Sequence, residues 1–170
     1  MAKAESLLRV LGLKQVLRQG WTRHPILPAA VESVADHSYG TCLLAWLLCP
    51  PELDRVRVLE MALLHDLAEV VTGDLVPADG VPQDVKQRDE QAALADLLQG
   101  LPVQSRGLDL QREYQAQLSA EARFVKAMDR LDMALQSRLY ERDFPVDLQE
   151  FRDSARPVLE RAGLSHLMEE

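Results

Sequence analysis

The stretch Arg55-Val56-Arg57-Val58-Leu59-Glu60-Met61-Ala62-Leu63-Leu64-His65-Asp66-Leu67-Ala68-Glu69-Val70-Val71 decides the fold. Its apolar positions Val56, Val58, Leu59, Ala62, Leu63 and Leu67 recur too densely for one stripe, so the segment reads as a helix buried on more than one side. Asp54 offers a side chain to cap its first turn, and Gly73 ends it. His65 and Asp66 therefore lie inside an apolar helix, where an imidazole and a carboxylate need a reason to be.

Upstream, Leu7, Leu8, Val10, Leu11, Leu13 and Leu17 give a helix-like apolar face that ends around Gly20, followed by a loop through Trp21, His24, Pro25 and Pro28. A second helix is expected from about Val31 to Leu48, carrying Val34, Tyr39, Leu43, Leu44, Trp46 and Leu47, and stopped by Pro50 and Pro51. Downstream, Asp74 to Gly80 reads as a loop, with Pro77 and the Asp79-Gly80 turn signal. Pro82 suits the first turn of a helix running to Leu98 and ending at Gly100, with a charged, solvated face. Ser119 can cap a long helix to about Tyr140, and a last helix is expected from about Leu148 to Ala162. No internal repeat, low-complexity tract or convincing strand pair interrupts this pattern. The expectation is an all-α, single-domain helical bundle over residues 1–170, with its core in about 7–140.

Composition narrows the function. The chain of 170 residues is 47% apolar but only 5% aromatic, so Leu, Ala and Val must fill the core. A formal charge of −8 speaks against a nucleic-acid binder, which needs a basic stripe to displace counterions. No run approaches the roughly 20 apolar residues of a membrane span. The N-terminus lacks the apolar core and cleavage site of a signal peptide. Cys42 and Cys49, seven apart on one expected helix, place their Cα atoms about 10.5 Å apart, too far for a disulfide. A cytoplasmic setting follows as the expectation.

Four residues on three expected helices carry the chemistry: His37, the pair His65-Asp66, and Asp129. Taken singly each has an ordinary explanation. A lone helical His is usually a hydrogen-bonded core residue, Asp129 has Lys126 and Arg130 nearby for ion pairing, and a His-Asp dipeptide is common. Together they pose a sharper problem, because a carboxylate on an apolar helix face costs several kcal/mol unless it is paired or ligates a cation. One divalent metal would neutralise both carboxylates and take both imidazole lone pairs. Such a mixed set suits Mn²⁺, Co²⁺, Fe²⁺ or Zn²⁺, and Mg²⁺ less well.

The segments Glu32-Ser33-Val34-Ala35-Asp36-His37-Ser38, Ala62-Leu63-Leu64-His65-Asp66-Leu67-Ala68-Glu69, Thr72-Gly73-Asp74 and Val125-Lys126-Ala127-Met128-Asp129 resemble the HD-domain superfamily. Within it the chain is similar to the small YfbR-like 5′-deoxynucleotidases and their eukaryotic HD-domain-containing relatives, from about Leu7 to Tyr140. The loop Gly73 to Asp79 and the Gly20-Trp21 pair belong to the same likeness. The resemblance implies that His37, His65, Asp66 and Asp129 bind one catalytic divalent metal. It gives Glu69 and Asp74 catalytic-site roles, Glu69 on the attacking water and Asp74 at the sugar or near the metal. Glu69, four residues after His65, is expected on the same helix face.

The phosphate needs cations beyond the metal, and Lys126, Arg18 and Arg23 are candidates. The resemblance implies that Trp21 packs against the ribose or base. The substrate is then a small-molecule nucleotide, with no nucleic acid or membrane partner, and a homodimer is expected from the dense apolar helix faces and from relatives. The segment from Trp21 to His37, with Pro25 to Ala30, is longer than the family pattern. Two other readings stand beside this one: a phosphohydrolase of the same superfamily acting on another phosphoester, and a non-catalytic helical adaptor that keeps the fold. A two-metal oxygenase of the superfamily would need more histidines, and only His24 and His166 remain.

Overall fold

The computed structural model describes residues 2–168. In chain order the α-helices are α1 (Ala2–Val10), α2 (Gln19–Thr22), α3 (Val34–Leu48), α4 (Arg55–Leu64), α5 (Glu69–Thr72), α6 (Gln83–Leu97), α7 (Gln104–Ala116), α8 (Ala120–Asp143) and α9 (Gln149–Arg161), with short 3₁₀ turns between some of them. Among the described residues the backbone pairing outside helices and turns is one isolated antiparallel bridge, Leu17 with Ser33. The all-α expectation holds. No helix among these residues is long and apolar enough to cross a membrane.

The long helix α8 forms the axis, with Ala122, Val125, Met128 and Leu131 buried against α3, α4 and α9. A smaller cluster, Ala68, Ala93, Leu94 and Leu98, packs α6 beside α5. Truncating a buried Leu or Met here to Ala would cost about 2–5 kcal/mol. Met128 and Leu131 flank Asp129, so the packing that stabilises α8 also fixes the direction of that carboxylate.

Local chemistry explains where the helices start. Ser33 caps α3: Asp36 N donates to Ser33 Oγ (3.2 Å) and Ser33 N donates to Asp36 Oδ2 (2.9 Å), a reciprocal capping box. This moves the start of α3 to Val34 from the expected Val31. Asp54 caps α4 as expected, its Oδ1 accepting from Val56 N and Arg57 N at 3.0 and 3.1 Å. Ser119 does the same for α8, accepting from Ala122 N.

Three expectations are corrected. The N-terminal helix does not reach Gly20. It ends at Val10, gives way to a 3₁₀ turn at Leu11–Gln15, and then extends so that Arg18 N bonds Glu32 O and Val34 N bonds Val16 O. The apolar positions Leu7, Leu8 and Leu11 are largely exposed, so no core holds that face as one helix.

The second correction concerns the helix expected from Arg55 to Val71, which breaks after Leu64. His65 Nδ1 donates to Ala62 O (2.8 Å), a carbonyl a continuing helix would pair with backbone, and the chain tightens into turns before α5. Glu69 therefore opens a new short helix instead of sitting one regular turn beyond His65. The third is α7, which was not expected. Its buried face is Gly107, Leu110, Gln111 and Tyr114, helical in spacing but too polar to register as an apolar stripe.

Candidate metal centre and active site

His37, on α3, is fully buried, and Asp129, on α8, nearly so. His65 lies just past the end of α4 and is also buried, and Asp66 follows it. The four side chains converge. The two imidazole Nε2 atoms stand 3.4 Å apart, Asp66 Oδ2 is 3.2 Å from His65 Nε2 and 3.7 Å from His37 Nε2, and Asp129 Oδ1 is 3.3 Å from His37 Nε2.

The donor set fits a divalent cation. A carbonyl has no proton to give, so the bond from His65 Nδ1 to Ala62 O leaves His65 Nε2 as the bare nitrogen. His37 Nδ1 lies 2.7 Å from Asp132 Oδ2, which likewise frees Nε2 for the centre. Two lone pairs and two carboxylates then point into one small buried volume, an arrangement that a cation relieves. His37, His65 and Asp129 form a group whose ligand atoms all lie within 4.8 Å of one another. Without a cation, burial and Arg18 push the His37 imidazolium pKa down, but Asp129 and Asp132 outweigh them and hold it up at about 9. Burial opposes the Asp66 carboxylate, yet His65, His37 and Arg18 keep its pKa far below the usual value. Asp129 is held down in the same way by Lys126, His37 and Arg130 against its burial.

A cavity of about 830 Å³ opens onto this centre, with Asp66, Asp129 and Glu69 in its wall. Glu69 is buried, and its Oε2 has no hydrogen-bond partner among the described residues. Burial, then the neighbouring Asp66 and Asp74 carboxylates, push its pKa well above the ordinary range.

Arg18 also lines the cavity, reaching Asp74 Oδ1 at 3.2 Å and Asp66 Oδ2 at 3.8 Å. Asp74 is buried on that wall, and its second oxygen accepts from Gln19 N at 2.6 Å. Asp74 thus ties the Gly73–Asp79 loop to the Arg18 segment. Lys126 lines the cavity too, but its Nζ donates to Asp129 Oδ2 at 2.7 Å.

The remaining sequence candidates differ from these. Arg23 is exposed and paired with Asp79 at the cavity mouth. Trp21 is only 1% exposed, packed on Phe151 with ring centroids 4.1 Å apart, its Nε1 donating to Glu32 Oε1 at 2.7 Å. It lines the cavity but has little surface left for a ligand.

Several neighbours of the site went unnoticed in the sequence. Asp132 holds His37; Tyr114 OH donates to Asp129 Oδ2 at 3.2 Å; Lys86 Nζ donates to Leu75 O at 2.9 Å, beside Asp74. Asp132 carried one usable signal, its place three residues after Asp129. Tyr114 sits on the unexpected α7, and Lys86 on a helix whose charges read as a solvated face.

A bundle whose helices bring His and Asp side chains from α3, the end of α4, and α8 to one buried point defines a metal-site class of helical protein. The HD domain model matches residues 10–165, and the chain belongs to that family. Among curated relatives it is 39% identical over 168 residues to the 5′-deoxynucleotidase HDDC2 of Bos taurus, covering 96% of this chain and 81% of that one. It is 35% identical over 147 residues to the 5′-deoxynucleotidase hdd1 of Schizosaccharomyces pombe, covering 82% and 73%. Among solved structures, a conserved hypothetical protein from Pyrococcus furiosus superposes with a TM-score of 0.80 at 32% identity, over 98% of this chain and 94% of that one. A protein described as a predicted metal-dependent phosphohydrolase from Magnetospirillum magnetotacticum MS-1 gives 0.75 at 29% identity, over 99% and 86%.

Proposed function

We propose that this protein is a metal-dependent phosphomonoesterase that converts deoxynucleoside 5′-monophosphates to nucleoside and phosphate. The observation that carries the proposal is the facing pair of His37 and His65 Nε2 atoms, 3.4 Å apart beside Asp66 and Asp129, two carboxylates that line a cavity large enough for a nucleotide. The activity named for the relatives points to the same reaction.

His37, His65, Asp66 and Asp129 would hold one divalent ion per chain, of Mn, Co, Fe, Zn or Mg. Bound there, the ion polarises the phosphoryl group, acidifies water and offsets charge. The chain supplies the rest. Glu69, with its unpartnered oxygen and raised pKa, takes a proton from the attacking water. Arg18, beside Asp66 and Asp74, faces the charge that develops on the phosphoryl oxygens. Lys126 shares that task through Asp129, whose outer oxygen it holds. Asp74 positions Arg18 and meets the sugar, while Trp21 and Phe151 set the width of the cavity wall behind it. Arg23, paired at the mouth, guides the anionic substrate inward.

The protein works as a soluble cytoplasmic homodimer without nucleic-acid or membrane partners. The stripe Tyr39, Leu43, Trp46 and Leu47, exposed along α3, supports self-association.

The test is phosphate release from a panel of deoxy- and ribonucleoside 5′-monophosphates with Mn²⁺, Co²⁺ or Mg²⁺, run beside Asp66→Ala. Metal-dependent release from the deoxynucleotides that vanishes in the variant is expected. Equal release from ribonucleotides would discard the sugar selectivity, and no release from any monophosphate by metal-loaded protein would discard the proposal.

A further inference from the structure

We propose that Asp132 is a positioning residue for the metal centre, and that Gly40 is glycine because Asp132 occupies the space of its missing side chain. The proposal rests on His37 being a ligand, as above.

α8 grips both nitrogens of one imidazole from successive turns. Asp129 Oδ1 lies 3.3 Å from His37 Nε2, and Asp132, three residues on, places Oδ2 2.7 Å from His37 Nδ1. Because Asp132 meets the opposite edge of the ring from the converging ligands, it cannot share their cation. What it can do is accept the Nδ1 proton, which leaves Nε2 bare and aims it at Asp66 and Asp129. A neutral imidazole without that partner divides itself between two tautomers, and the Nε2–H form cannot bind a metal at Nε2. A carboxylate behind the ring also raises the basicity of the ligating nitrogen.

Gly40 is the second, independent observation. It lies three residues after His37 on α3, on the face turned to α8. A Cβ built there would overlap Asp132 Oδ1 and stand only 2.9 Å from its Cγ. Gly40 has no positive φ and sits in the interior of a regular helix, where glycine costs roughly 0.5–1 kcal/mol against alanine. No backbone requirement explains it, whereas the carboxylate packed into its notch does. Alanine at position 40 therefore becomes a lever that displaces Asp132 while leaving its chemistry intact.

The experiment strips the purified protein of metal and titrates it with Mn²⁺ by calorimetry, for wild type, His37→Ala, Asp132→Asn and Gly40→Ala. In parallel, ¹⁵N-histidine spectra of the stripped proteins, recorded above pH 9 where the His37 ring is a neutral imidazole, report its tautomer. Asp132→Asn is expected to weaken Mn²⁺ binding by about 10- to 100-fold and to raise the Nε2–H fraction of His37, with the thermal midpoint of the stripped protein close to wild type. Gly40→Ala is expected to weaken Mn²⁺ binding in the same direction although Asp132 is still present. Folded Asp132→Asn and Gly40→Ala proteins that bind Mn²⁺ like wild type, while His37→Ala does not, would overturn this proposal and leave the metal centre standing. Weakened binding with His37 still wholly in the Nδ1–H form would overturn the tautomer role. Wild-type binding by His37→Ala would overturn the metal-centre reading itself.

Discussion

The centre that holds His37, His65, Asp66 and Asp129 and the rim that holds Arg18, Arg23 and Asp74 are built by different means. In the centre, side chains stand on or at the ends of long helices, deep in the packing of Val34, Met61 and Met128. Their directions follow from helix geometry, and the two imidazoles are fixed by bonds of 2.7–2.8 Å to Asp132 and Ala62. The rim is irregular backbone. Arg18 sits in an extended segment between a 3₁₀ turn and a four-residue helix, and Asp74 follows Gly73, whose φ of +74° only glycine adopts without strain. What holds the rim is the bond from Gln19 N to Asp74, across 55 residues of sequence. Chemistry that must not move is placed on helices, and recognition that must admit and release a substrate is placed on tied loops.

The sharpest way to test that division is at Glu69, where the two regions meet. Glu69→Gln removes the proposed base and should lower kcat by roughly 10²–10⁴-fold. In the wild type, kcat/KM should rise with pH along a limb on which Glu69 loses its proton, and Gln should abolish that limb. The same substitution should stabilise the metal-free protein. A carboxyl whose folded pKa lies above its unfolded value loses stability as pH rises through the window between them, and Gln feels no such loss. Thermal melts of both stripped proteins from acid to mildly alkaline pH should therefore diverge as pH increases. Parallel melts, or a variant with full kcat, would show that Glu69 is a structural carboxylate.

Smaller effects separate the two rim arginines. Arg18 is largely buried between Asp66 and Asp74, so Arg18→Ala deletes charge-assisted bonds of about 1.5–3 kcal/mol and should cost on the order of 10- to 100-fold in kcat/KM. Arg23 forms an exposed pair with Asp79, of the kind that contributes about 0–1 kcal/mol. Arg23→Ala should change kcat/KM by less than about fivefold, and mainly at low salt. Equal losses from both would mean that the cavity mouth, and not its floor, grips the phosphate.

The same division governs what could be read from the amino acids. The centre was marked in the sequence by His37, His65, Asp66 and Asp129 standing among apolar neighbours, each an ordinary residue taken singly, and by the segments around them that resemble the HD-domain superfamily. Its supports were not. Asp132 offered no signal beyond its place three residues after Asp129, and the notch at Gly40 appears only when α3 meets α8. α7 escaped notice because glycine, glutamine and tyrosine make up most of its buried face, and Tyr114 went with it. In the rim, Asp74 and Arg18 could be named but not joined, since their contact depends on an isolated bridge between Leu17 and Ser33 that no periodicity foretells. The family resemblance put Trp21 against the ribose or base, and the structure has its indole engaged by Glu32, Phe151 and Tyr140.

The most direct test of the central claim is phosphate release from a deoxynucleoside 5′-monophosphate by metal-stripped protein as Mn²⁺ is added back. His37 carries a proton below its metal-free pKa of about 9, so Mn²⁺ must displace it, and the half-saturating concentration should fall as pH is raised toward 9. The account predicts background release at zero metal, full release near one Mn²⁺ per chain, and that pH shift. Undiminished release from the stripped protein would contradict it.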